Sequence, residues 1–179
     1  MSPSKMIPTH VLLESTPRLN QLATSIDLRG RKRVPVKEDT TLYIYDMPEQ
    51  CADMVTEIHS IRSAIEAAID WADIQKPTVL PQFFRMTSGV IKVKENHTVI
   101  IKAVGHPEDL AEARLRSWPL FQDESVTETK PLSSLALIRP LDSTQVVCFE
   151  LHNVDFQLLM FPLAPRQVPP IQHRTSESE

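Results

Sequence analysis

Glycine is scarce in this chain. Gly30, Gly89 and Gly105 stand against fifteen prolines in 179 residues, where average usage is roughly 7% and 5%. Loops that cradle phosphates need clustered glycines so that backbone N–H groups can approach the ligand, and these three are far apart. That excludes P-loop and dinucleotide-binding readings. Cysteine is as sparse: Cys51 and Cys148 cannot build a disulfide framework, and neither has the CxxC or CxxH spacing of a zinc or redox pair. A reducing intracellular compartment, cytoplasmic or nuclear, is the expectation. Aromatic residues make up only 6% of the chain, too few for the exposed stacking platforms that read single-stranded nucleic acid. No apolar run approaches the roughly 20 residues of a membrane span, and MSPSKMIPTHVLLESTPRL lacks an apolar core of signal-peptide length.

What is present suffices for a fold. Hydrophobic residues at 41% and charged residues at 23% match globular averages, and the length suits one domain. The formal net charge of -4 hides an uneven distribution. Residues 1–37 carry seven cations against two carboxylates, net +5, and the remainder twelve against twenty-one, net −9. Such a split separates two surfaces with different partners. Its centre is RGRKRVPVK, in which Arg29, Arg31, Lys32, Arg33 and Lys37 cluster, while Gly30 and Pro35 disfavour regular structure. A cluster of this kind meets phosphates, an anionic membrane surface or a nuclear-import receptor.

Periodicity supplies the elements. Residues 1–40 read as a basic, largely flexible arm whose helical pattern is Leu19, Leu22, Ala23 and Ile26 after Pro17. Residues 41–163 read as the core domain and 164–179 as a disordered tail rich in Pro, Ser and Glu. TLYIYD (41–46) is a strand pattern. After it, Asp46, Pro48 and Glu49 form a helix start, and apolar residues from Cys51 to Ala72 recur every three or four positions, predicting one long amphipathic helix that ends near Gln75 before Pro77. QFFRMT, GVIKVK and TVIIKAV predict an antiparallel meander over 82–104, and GHPEDLAEARLRSW a second, shorter helix. SLALIRP, QVVCFELHN and DFQLLMFPL predict three more strands, the last buried on both faces. The sum is an α+β single domain, with a mostly antiparallel sheet of six to seven strands carrying both helices on one face.

Chemistry is harder to find. His59 has no second ligand at i+4, so no HExxH-type metal site exists, and no GxSxG marks a serine nucleophile. Cys148 and His152 share a strand face by even spacing, the geometry of a cysteine–histidine pair. No cofactor and no metal is expected. In the meander, Arg85, Lys92, Lys94 and Lys102 face a single carboxylate, Glu95, and alternation predicts a basic sheet face that extends the arm. Pro162 and Pro165 give one PxxP spacing, and Thr175, Ser176 and Ser178 are phosphate acceptors.

The layout of a basic arm, a small glycine-poor body and a Pro-rich tail resembles that of small viral matrix proteins in organisation alone. The expected function is a non-catalytic structural or interaction protein, with the arm on an anionic partner and the body in protein contacts or self-association. A nonspecific nucleic-acid (RNA) binding protein is the alternative, and a small enzyme with dispersed catalytic residues the second. The anion-binding residues expected are Arg29, Arg31, Lys32, Arg33, Lys37, Arg85, Lys92, Lys94 and Lys102.

Overall fold

Among the described residues, strands outnumber helices, as the many β-branched and aromatic runs lead one to expect. The computed structural model describes residues 7–36, 41–46, 50–77, 79–121, 130–131 and 134–167. Among them lie β1 (His10–Leu13), α1 (Pro17–Ser25), β2 (Arg33–Pro35), β3 (Leu42–Tyr45), α2 (Gln50–Ser60), α3 (Arg62–Ile69), β4 (Ala72–Ile74), β5 (Gln82–Met86), β6 (Val90–Lys92), β7 (His97–Val104), α4 (Pro107–Glu112), β8 (Arg114–Pro119), β9 (Lys130–Pro131), β10 (Leu135–Ile138), β11 (Val147–Leu151) and β12 (Val154–Pro165). The larger sheet has eight strands in the order β1, β10, β7, β12, β5, β3, β2, with β4 paired to β12. The smaller has four, in the order β6, β11, β8, β9. All these pairings are antiparallel.

Three layers result, because the large sheet is buried on both faces. Ile100 and Val104 of β7, with Leu159 and Phe161 of β12, meet Leu19, Met54, Ile58 and Ile69 of the helices. On the reverse face, Ile101, Ala103 and Phe156 meet Leu115, Phe149 and Leu151 of the small sheet. Burial on both faces explains why β7, β10 and β12 read as nearly continuous apolar runs. Within residues 1–40, β1 pairs with β10, β2 pairs with β3, and Leu19, Ala23, Ile26 and Leu28 join the core on the helix side. Thr16 caps α1 by accepting the Leu19 N–H at 3.1 Å.

The α+β expectation of one sheet with a long helix is corrected to a mostly β architecture with two sheets. The long helix breaks at Ile61. There the Ser60 hydroxyl donates to the Glu57 carbonyl at 2.6 Å, the acceptor that the Ile61 N–H would use in a continuous helix. The Ile61 N–H turns instead to Ile58, three residues back. Asp70 then ends α3 at φ 54°, a left-handed position that Asp tolerates, and Ala72 leaves the helical stripe to pair in β4. Pro48 and Glu49, part of the expected helix start, lie outside the described residues.

Two further expectations change for one reason: the sequence pattern does not count long-range pairing. GHPEDLAEARLRSW is helical only through Glu112. Residues 115–119 pair with β11, which buries Leu115 against the large sheet. The meander over 82–104 is also split. β5 and β7 flank β12, while β6 crosses to the small sheet and pairs with β11. The PxxP residues Pro162 and Pro165 lie inside β12, and Thr175, Ser176 and Ser178 fall outside the described residues. Among the described residues, no helix is long and apolar enough to cross a membrane.

Phe156 sits fully buried where the two sheets meet, stacked with Phe84 at a centroid distance of 5.8 Å. Phe156→Ala should lower the unfolding free energy by about 3–5 kcal/mol, read from urea denaturation. A loss under about 1 kcal/mol would show that the layers do not close on this ring.

Candidate anion-binding cleft

At one end of the large sheet, where β7 finishes and β12 begins, the chain leaves a cleft of about 630 Å3. Arg29, Arg31, Arg33 and Arg85 line it together with Tyr45 and Asp155. The first two are aimed by a turn: the Arg31 N–H donates to the Leu28 carbonyl at 3.1 Å, and Gly30 takes φ 77° between them. A turn with a positive φ at its third residue favours glycine, which accounts for one of the three glycines. Arg33 comes from β2 and lies opposite Tyr45. Its guanidinium stacks over the Tyr43 ring, 4.8 Å from the centroid. Register sets the floor, because Arg85 and Asp155 are direct neighbours across β5 and β12.

Some of this positive charge is already engaged. Asp27 holds Arg29 through a 3.0 Å ion pair, and the Arg29 side chain in turn brings the Asp27 carboxyl down to about 2. Asp155 Oδ1 accepts from Arg85 Nη1 at 3.2 Å and from the Tyr45 hydroxyl at 2.8 Å. Burial, then the bond to Asp155, raises the Tyr45 pKa, so the phenol stays a donor. With Asp109 as the other carboxylate of the lining, four arginines face two acids, net +2. Arg31 has no ion pair among the described residues and is exposed. The arrangement places planar N–H forks around a concave, solvent-open space, the geometry that suits phosphate or carboxylate oxygens.

The expected basic residues have five different outcomes. Arg29, Arg31, Arg33 and Arg85 converge on the cleft. Lys32 is exposed beside it in sequence, and Lys37 lies outside the described residues. Lys92 stands in register with Cys148 and Trp118 on the outer face of the small sheet, and Lys94 is exposed just beyond β6, so the basic face expected over 82–104 does not form. Lys102 is buried, with Nζ donating to Asn20 Oδ1 of α1 at 2.8 Å. His152 lies past the end of β11, exposed, so the even spacing to Cys148 does not hold them on one strand face.

Sequence reasoning missed three cleft residues, Tyr45, Asp109 and Asp155. The pairing of β3 and β12 with β5 brings Tyr45 and Asp155 to Arg85, and no local pattern carries that register. It also missed a serine–histidine contact, in which His10 Nδ1 lies 2.5 Å and Thr9 Oγ1 2.7 Å from Ser117 Oγ. With Ser117 only 3% exposed, the trio is closed to a substrate and ties β1 to β8. Among the described residues, no group of three or more His, Cys, Asp or Glu is placed to hold a metal ion. Compared with known proteins, the chain matches no family model, no curated protein and no solved structure.

Burial lowers the Lys102 pKa from 10.5 to about 8. Between these values the unfolded chain holds a proton that the folded chain has released, so stability rises with pH across that window. Below pH 8 both states are protonated and the full cost of burying the charge remains. Lys102→Met should therefore be the more stable protein at pH 7, with its advantage in Tm shrinking between pH 8 and 10.5. A Tm difference that does not vary over this range would mean that the ammonium is solvated.

Proposed function

We propose that this protein is a non-catalytic interaction protein that takes an anionic, phosphate-bearing partner in the arginine cleft and uses its body for protein contacts. The observation that carries the reading is convergence. Arg31 and Arg33, from a basic cluster in the sequence, meet Arg85 from β5 in one concave space. Guanidinium forks match phosphate oxygens bidentately, and several cations facing one concave space add their attraction.

The cleft favours a compact anion over a long nucleic acid. Asp109 and Asp155 interrupt its positive field, and Lys92 and Lys94 do not continue it into a track along which a phosphate backbone would run. An import receptor reads an extended basic segment, whereas Arg29 is folded onto Asp27 and Arg33 is paired in β2. A flat membrane surface is a poor fit to a concavity.

Tripolyphosphate, followed by calorimetry across a salt series, tests this reading. Binding should weaken with salt, and the Arg31→Ala, Arg33→Ala double variant should lose at least about tenfold in affinity, with a log–log salt slope shallower by about one per arginine removed. Affinity that ignores salt and both substitutions would remove the cleft from the function. Affinity for oligonucleotides that climbs steadily with length would favour the nucleic-acid alternative.

A further inference from the structure

The other end of the helix face holds a larger concavity of different chemistry. A groove of about 720 Å3 lies where α2 passes into α3 across the Ile61 break. Its walls are Val55, Ile58, Ile65, Ile74, Leu80 and Phe161. The rim is unusually apolar for a surface: Val79 is 58% and Leu80 73% exposed. Asp155, in the cleft, and Phe161, in the groove, are six residues apart on β12, about 20 Å at the usual rise, so the two sites are separate.

The charged groups bordering the groove are Arg62 and Lys76, with His59 and Gln75 beside them, and among the described residues no Asp or Glu lines it. Arg62 is committed, with Nε on Glu66 at 2.8 Å and Nη2 on the Ile74 carbonyl at 3.3 Å. Lys76, exposed, has no ion pair among the described residues. A concavity of this size with an aliphatic interior and a few polar groups at its border has the make-up of a small-molecule site. An extended peptide would bring a row of backbone N–H and C=O groups into a lining whose polar side chains, besides Arg62 and Lys76, are His59 and Gln75, leaving most of them short of partners. An acyl chain brings none.

From the aliphatic walls and the Lys76 ammonium we infer that the groove binds a single acyl chain ending in a carboxylate, a fatty acid, with the chain along Val55, Val79 and Leu80 over the buried Ile65 and Phe161, and the head at Lys76. This inference is independent of the arginine cleft, and the Arg31→Ala, Arg33→Ala variant should leave it unchanged. Dodecanoate, titrated calorimetrically below its micelle-forming concentration, should bind saturably at one equivalent, and dodecylamine at least about tenfold more weakly. Lys76→Glu and Leu80→Glu alter exposed side chains and should fold normally by circular dichroism. Each should weaken dodecanoate about tenfold, and Lys76→Glu should also strengthen dodecylamine, a reversal that a purely structural lysine would not produce. Absence of saturable binding, equal affinity for the two amphiphiles, or unchanged dodecanoate affinity in both folded variants would overturn the inference. So would a synthetic acidic amphipathic helix that occupies the groove and is not displaced by dodecanoate, which would assign the groove to a protein partner.

Discussion

Burial of β12 on both faces is the constraint from which the rest of the molecule follows. Its residues alternate between the helix layer, through Leu159, Phe161 and Leu163, and the small sheet, through Val154 and Phe156. Because the side-chain period is two, a slip of one residue against β7 would exchange these sets and drive Asp155 into the small-sheet core. The register is therefore held by apolar area on two sides at once. Gln157, fully buried on the helix side, adds a polar anchor, its amide nitrogen lying 3.3 Å from the Cys51 carbonyl and 3.1 Å from Cys51 Sγ.

That same strand sets the spacing of the two concavities. Its first residues carry Asp155 into the cleft beside Arg85, and its second half carries Phe161 under the groove. Neither site is made by one segment. The cleft draws arginines from the 28–31 turn, β2 and β5, and the groove draws from α2, α3 and the chain around Leu80. The chemical contrast is sharp, since one end presents guanidinium forks partly balanced by carboxylates and the other an aliphatic wall bordered by Lys76, which has no ion pair among the described residues.

Polar contacts at the periphery keep the layers in place. Arg139 donates to the Ala68 carbonyl near the end of α3, where a cation favours the helix dipole, and Trp71 Nε1 donates to the Pro140 carbonyl at 2.7 Å. Together they bind the end of the helix layer to the β10 side of the large sheet. Across the other interface, the Thr9–Ser117–His10 trio joins the N-terminal edge of the large sheet to β8. The outer face of the small sheet is laced by Arg116, which pairs with Glu150 and stacks toward Trp118.

Local signals were legible in the sequence wherever the structure is local. The strands at 42–45, 82–86, 97–104, 135–138 and 147–151 follow from β-branched and aromatic runs, and the helix after Pro17 from its apolar spacing and proline start. The basic cluster at 29–33 was visible from charge alone. Where a segment satisfied two periods, as at 113–118 and 70–74, sequence favoured the helix, because a window of neighbours cannot weigh hydrogen bonds to β11 or β12, at least 30 and 89 residues away respectively. The charge of Lys102 and its position on a strand were equally plain, yet its burial depended on α1 covering that face. Composition and order alone settle where most strand patterns lie, how few glycines and cysteines there are, and the positive charge of one short segment. The two sheets, the loss of Lys102 to the interior and of Lys92 to the far face, and the meeting of Arg85 with Arg31 and Arg33 in one cleft appear only in three dimensions. Register and layer order are set by burial summed over strands distant in the chain, a quantity no single stretch of residues contains.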